Sequence, residues 1–448
     1  MRGLLVALLV LGWIPIILFK PHIGVLVWNW MSHMVPQWYT YNFARSFPFL
    51  VAIFFATAVG MILNKDKKGL PAHPIVIALV LYWLWVTFTT IVGMNELPSS
   101  RSLSATGKLI HISKVYVFAL VSIAIMQSPN RLKAYVWVMA LSLGYIAVKG
   151  GLFVLLTGGA ARVQGAGGMM QDNNQLAMGM AMLMPLAIYV AQNPPMKLLK
   201  WPLIGAAVLV PLSAIGTQSR GGAVAVGAVT LILILKTKYK FKLLLAVAVL
   251  GYAGWTFMPA EYKARLATTQ SAATEDESFR GRVSMWKYAV NLADDNPIAG
   301  GGFNVFYVPR AAELYMPPGF KARAPHSIYF EVIAEHGYVG LTLFLMLIFT
   351  GWYSASTQAK RFRRFEETKW LAELNVALQL SIVGYAVGGL TVNIATFDVF
   401  YHVLAIIVMT SVVGDQLMAG KLTLLGTTRV IDANEASDKW TPGAAAAR

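Results

Sequence analysis

The chain has 448 residues, 57% of them hydrophobic and only 13% charged, with a mean hydropathy of +0.59. Such a composition excludes an ordinary soluble domain and reads as a polytopic membrane protein. The net charge of +17 does not argue for nucleic acid, because Lys and Arg fall in short runs between apolar segments and there set membrane orientation, while the absence of cysteine excludes disulfides, thiol nucleophiles and thiolate metal sites.

A helix that crosses a bilayer needs roughly 20 apolar residues and at least about 17. That measure predicts twelve spans, near 3–19, 43–63, 75–94, 109–127, 133–157, 174–192, 202–217, 221–235, 243–258, 337–354, 375–393 and 398–418. The first has the charged and apolar regions of a signal peptide but no small-residue cleavage site before Lys20 and Pro21, so it reads as a retained span. Lys65, Lys67 and Lys68, then Arg131 and Lys133, Lys197 and Lys200, the lysines from Lys236 to Lys242, and the basic run from Lys360 to Lys369 fall in alternate loops. Those loops are expected to be cytoplasmic. Two crossings then precede the Lys65 loop, so the short stretch from His22 to Trp38 is expected in or dipping into the outer interface, a depth that suits Trp28, Trp30 and Trp38.

The same parity puts five connections outside: those with Arg101, with Arg162 and Asp172, with Arg220, the loop from Pro259 to Pro325, and the turn from Ala395 to Phe397. The chain divides into an N-terminal membrane region 1–195, a core 196–354 that includes the outer loop 259–325, C-terminal spans 355–419, and a tail 420–448 expected to be cytoplasmic and disordered. No repeat of fixed period is evident, and no charged residue sits convincingly mid-span.

The longest polar excursion, Phe279 to Leu341, holds most of the candidate chemistry. Val283, Trp286, Val290 and Ala293 recur at helical spacing up to Asp294, which predicts an amphipathic helix with Arg280 and Arg282 at its N-terminal end. Guanidinium groups, free N–H groups and the positive end of the helix dipole would together suit an anionic phosphate. The same arginines could instead hold lipid headgroups or neutralise Glu275, Asp276 and Glu277. Gly300, Gly301 and Gly302 allow positive φ and a close backbone approach to a ligand, or serve an ordinary turn. Arg220 stands at the outer end of a span among small residues, either functional or snorkelling to the interface. His326 follows Pro325 and opens a helical run, as a proton acceptor near neutral pH or as a cap. Glu331 and Glu335 share a face of that run; a solvated face is expected for Glu331, and Glu335 could orient an arginine or act as a base. Asp172 reads as an N-cap, the remaining histidines show no metal-ligand spacing, and Asp398 with His402 reads as a polar pair at a hairpin end.

Together, Ser219-Arg220-Gly221 at a span end, Gly281-Arg282 with Trp286, Pro297 with Gly300 and Gly302, and His326-Ser327 with Tyr329, Glu335, Gly337, Gly340 and Leu341 resemble the O-antigen ligase family over roughly residues 200–350. That family joins lipopolysaccharide core ligases, O-antigen polymerases and protein O-oligosaccharyltransferases. PHIGVLVWNWMSHMVPQ, LSLGYIAVKGGLFVLLTGG and DNNQLA in the N-terminal half resemble a narrower branch, the O-glycosylation ligases associated with exosortase A systems. The resemblance implies an all-α polytopic fold of the lipid-dependent (GT-C type) glycosyltransferase architecture in the bacterial inner membrane, with its active site facing the periplasm. It implies a metal-independent, inverting transfer of glycan from an undecaprenyl pyrophosphate carrier to an acceptor hydroxyl, without a cofactor. Carried over motif by motif, Arg220 and Arg282, with Arg280 nearby, would hold the pyrophosphate, Gly300 and Gly302 would turn the chain near the donor, and His326, or Glu335 in its place, would activate the acceptor. Ser327 stands where the broader family often has Asn. A polymerase that extends glycan on the carrier is the alternative within the enzyme class. A lipid-linked glycan transporter would be expected to show paired repeats and polar residues near the midplane.

Overall fold

The computed structural model describes residues 2–41, 43–64, 69–93, 104–237, 239–257 and 277–420. Arg101, the lysines of the 65–68 loop, Lys238, the acidic pair Glu275 and Asp276, and the polar tail lie outside these residues. Two short helices, α1 (Arg2–Leu11) and α2 (Ile14–Phe19), form one apolar rod. They are followed by α3 (Pro21–Met34), α4 (Phe43–Ser46) and α5 (Phe49–Leu63). Long helices come next: α6 (Pro74–Val92), α7 (Ala105–Ile125), α8 (Pro129–Thr157), α9 (Asn173–Gln192) and α10 (Lys200–Gly216). After α11 (Arg220–Lys236) and α12 (Lys240–Phe257) come α13 (Glu277–Asp295) and α14 (Pro309–Tyr315). The chain then forms α15 (Ile328–Phe362), α16 (Lys369–Gly388) and α17 (Asp398–Met418). No strand occurs among the described residues.

Nine helices among the described residues are long and apolar enough to cross a membrane. The three other expected spans fall on α5, α11 and α12, with 15, 17 and 18 residues. One expected span is displaced: α16 occupies Lys369–Gly388 rather than 375–393, because polar residues at a helix end can remain wetted and Gly388 and Gly389 let the chain leave the helix. The most enclosed helices are α9, α16 and α17. Their backbones approach closely through small residues, since a Cβ on Gly384 would lie 3.1 Å from the Ala181 carbonyl. Polar side chains bind the layers as well: Ser381 Oγ donates to Met182 O at 2.7 Å, and Thr410 Oγ1 donates to Gln358 Oε1 at 2.8 Å.

Within the stretch from His22 to Trp38, Trp28 does not serve as an exposed tryptophan anchor, whereas Trp30 and Trp38 are half-buried. The 14-residue helix α3 extends only about 21 Å, but it packs against α5 and α8. Trp28 is buried and stacks on Phe118 at 4.0 Å. The hydrophobic payload of its indole is used inside the protein, where facing helices offer an aromatic partner that a lipid surface does not.

Candidate active site

The organising feature of the candidate site is a break in α15. Gly337 adopts φ 67° and ψ −173°, a conformation open only to glycine. The break deprives Ala334, Glu335 and His336 of their regular helical donors, so their carbonyls are satisfied from elsewhere. Gly301 N donates to Ala334 O and Gly302 N to Glu335 O, each at 2.8 Å, while Trp85 Nε1 reaches His336 O at 3.0 Å. On the far side Tyr338 N donates to Pro297 O at 2.8 Å.

The glycine turn therefore makes its close approach to protein backbone, where the sequence suggested a ligand. Gly300 and Gly302 do have positive φ, 62° and 82°. A Cβ on Gly300 would come within 2.6 Å of Ala334 O and Gly337 N. With the amides of Gly301 and Gly302 bonded to α15 and that of Gly300 to Asn296 O, the turn locks the broken helix in place.

The N-terminal half of α15 carries a buried charge cluster. Glu331 is 4% exposed and Glu335 2%, so the solvated face expected for Glu331 is corrected. Lys108 Nζ donates to Glu331 Oε1 at 2.8 Å and to Glu335 Oε1 and Oε2 at 2.8 and 3.0 Å. The carboxylates also accept backbone hydrogen bonds, Glu335 from Asn304 N at 2.8 Å and Glu331 from Ala395 N at 2.9 Å. Such completion is what makes burial of three charged groups tolerable. Lys108 was missed because it lies one residue before its expected span, and its partners are more than 220 positions away. Beside the cluster lies a cavity of about 390 Å³ lined by Lys108, Gln175, Asn304, Pro325, Glu331 and Glu335.

His326 sits at the edge of this region, half-buried, with φ 50°. Trp286 supports it: its Nε1 donates to Pro325 O at 2.9 Å, and its ring stacks on Phe330 at 5.0 Å. Ser327, buried at the N-cap of α15, makes no side-chain cap bond. Burial, then Arg282, then Arg323 hold the imidazole below its ordinary pKa, and Asp172 opposes them. His326 is consequently neutral at pH 7 and able to accept a proton. Arg323, which the sequence did not single out, lies over Gly281, where a Cβ would meet its guanidinium.

Among the described residues α13 begins at Glu277, so Arg280 falls in its first turn and Arg282 in its second. Arg280 is exposed and Arg282 half-buried. Arg220 is exposed at the first position of α11, whose N-cap Ser219 accepts from Gly222 N at 3.1 Å. Ser219 Oγ also donates to Asn174 Oδ1 at 2.7 Å. Asn174 belongs to the Asp172-capped start of α9, where Asp172 Oδ1 accepts from Asn174 N at 2.9 Å. One loop thus holds the Arg220 segment and places a carboxylate that acts on His326.

These residues coincide with a known domain. Residues 205–345 match the O-antigen ligase family. This O-antigen ligase domain includes Arg220, Arg280, Arg282, His326 and Glu335, and it supports a glycosyltransferase-like enzyme of the ligase or polymerase type with lipid-linked glycan substrates. Residues 1–194 match a family of unknown function. No curated protein matches the chain. Lys108 and Asp172 come from the N-terminal match, so the charged surroundings of the O-antigen ligase domain are completed by the region before it.

Proposed function

We propose that the protein is a glycan ligase that transfers an oligosaccharide or polysaccharide from an undecaprenyl pyrophosphate carrier to a hydroxyl of a protein, lipid or sugar at the periplasmic face of the inner membrane. His326 removes the proton of the acceptor hydroxyl, whose oxygen attacks the anomeric carbon. The bond from that carbon to the diphosphate breaks, and Arg220 and Arg282 balance the charge that develops on the leaving pyrophosphate. A single displacement of this kind inverts the anomeric centre and needs no divalent ion at the diphosphate. What supports the reading is a half-buried His326 at the edge of the buried charge cluster, with Arg282 near enough to disfavour its charged form, both within the O-antigen ligase domain. Twelve spans with both termini cytoplasmic, and membership of the exosortase-associated branch, belong to the same proposal.

The test is deletion of the gene followed by mass spectrometry of proteins, lipids and exopolysaccharide. One class is expected to lose its glycan while the lipid-linked donor accumulates. Shortened glycan on the carrier itself would identify a polymerase instead. Unchanged glycan in every class would sink the reading. In EDTA-washed membranes, added Mg²⁺ or Mn²⁺ is expected to leave the rate unchanged, and a rate restored by either ion would overturn the charge balance assigned to the arginines.

A further inference from the structure

A second group of ionisable residues lies apart from the broken helix, where the end of α3 meets the start of α17. His33 and His402 are fully buried and their rings meet edge-on, with centroids 4.9 Å apart. Asp398, 6% exposed, completes the group, and one ligand atom from each of the three residues lies within 4.8 Å of the other two. The residues are far apart in sequence on the α3 side and one helical turn apart on α17, so spacing alone could not reveal them.

The hydrogen bonds around the group leave donor atoms available in a particular way. His33 Nδ1 lies 2.8 Å from both the backbone O and the Oδ1 of Asn29. Both partners are acceptors, so Nδ1 carries the proton and the lone pair is on Nε2. His402 Nδ1 is bonded to the Tyr135 hydroxyl. The Nε2 atoms of both rings are buried without a hydrogen-bond partner, which is costly for a polar atom in a protein interior. Asp398 accepts from Ser32 Oγ and from Val399 N. Among the described residues no Lys or Arg forms an ion pair with it. A buried carboxylate with no Lys or Arg ion-pair partner and two orphaned imidazole nitrogens would be satisfied together by a bound cation.

We propose that His33, Asp398 and His402 bind a divalent first-row transition ion of the Zn²⁺ type that staples α3 to α17. Two imidazole nitrogens and one carboxylate oxygen suit such an ion, whereas Ca²⁺ and Mg²⁺ prefer oxygen ligands throughout. Ligand atoms around a tetrahedral ion stand roughly 3.3 Å apart at the usual bond lengths, so small ring rotations close the set. Asn29 and Tyr135 hold the outer ring nitrogens as second-sphere partners orient metal-bound histidines. A cavity of about 240 Å³ that reaches Ser32 and Asp398, lined also by Trp38, Arg45, His111 and Lys114, offers an access route and room for a water as fourth ligand. The ion is structural and takes no part in transfer.

The probe is Co²⁺, added to the full-length protein in detergent after purification without a polyhistidine tag and removal of metal. Wild type is expected to develop the visible bands of four-coordinate Co²⁺, saturating at about one equivalent, and Zn²⁺ is expected to displace it and raise Tm. His33→Ala and His402→Ala should abolish the bands. Tyr135→Phe keeps the aromatic ring but loses the second-sphere hydroxyl, and should weaken Co²⁺ binding roughly tenfold to a hundredfold. No Co²⁺ uptake by folded wild type overturns the proposal whatever the variants do. Bands that persist unchanged in both histidine variants overturn it as well.

Discussion

Residue by residue, the candidate site depends on one imidazole and the charges that face it. Because burial and Arg282 depress the pKa of His326, kcat/KM is expected to fall on acidification only below the ordinary imidazole value of about 6.5. Replacement of Arg323 by Gln removes a positive charge that disfavours imidazolium, so the acid limb should move to higher pH. Asp172→Asn removes the opposing negative charge and should move it lower. Profiles from these two variants check both signs, and a limb that neither change displaces would mean that another group titrates. His326→Ala is expected to lower the transfer rate on the order of a hundredfold or more while donor binding is retained. A defect confined to donor affinity would make His326 a phosphate-site residue. For the arginines, Arg220→Lys and Arg282→Lys should both fail to restore transfer, since an ammonium cannot reproduce a bidentate grip on a diphosphate. Arg280→Lys, at an exposed position outside the motif, should be milder. Transfer assays on the three variants decide, and near-normal rates in the first two would remove the clamp.

Among the elements, the broken helix α15 carries the largest structural demand. Its two carboxylates, Glu331 and Glu335, hold Lys108 of α7, and the glycine turn after α13 holds its freed carbonyls. Lys108→Met leaves two buried carboxylates facing each other and is expected to cost about 3–5 kcal/mol of stability. Adding Glu331→Gln and Glu335→Gln should recover much of that loss, which thermal unfolding in detergent can read. A lysine variant as stable as wild type would show that the cluster is not a buried ion pair. Gly300→Ala forces both a clash with Ala334 O and a strained φ, for about 1–3 kcal/mol, and should lower Tm accordingly. Periodicity did make α13 legible, and Pro297 with the three glycines marked a turn. Nothing local showed that this turn would meet the helix break, because the contacts of Gly301 and Gly302 are to Ala334 and Glu335, more than thirty residues on.

For the whole molecule, the alternation of positive charge sets the orientation to be tested. In this cysteine-free chain, an impermeant thiol reagent should label Glu313→Cys and Gln270→Cys in intact cells and Arg364→Cys only after lysis. Labelling of either outer-loop position only after lysis would refute the assigned orientation.

What the sequence determined by itself is the membrane class, the helical segments and the order of the ligase-like motifs. Each follows from apolar run length, helical period or near-neighbour spacing, and these are properties that a single segment carries on its own. Tertiary structure alone decided the rest. It buried Glu331 against Lys108, turned Trp28 onto Phe118, set Asp172 and Arg282 to act on His326, and gathered His33 with Asp398 and His402. Those outcomes depend on which helix faces pack together, and a buried charge is tolerated only where a partner from another part of the chain meets it. In a membrane-spanning bundle nearly every helix face is apolar, so hydrophobicity cannot choose the partners, and the choice falls to small residues and polar contacts that close only when the helices are assembled.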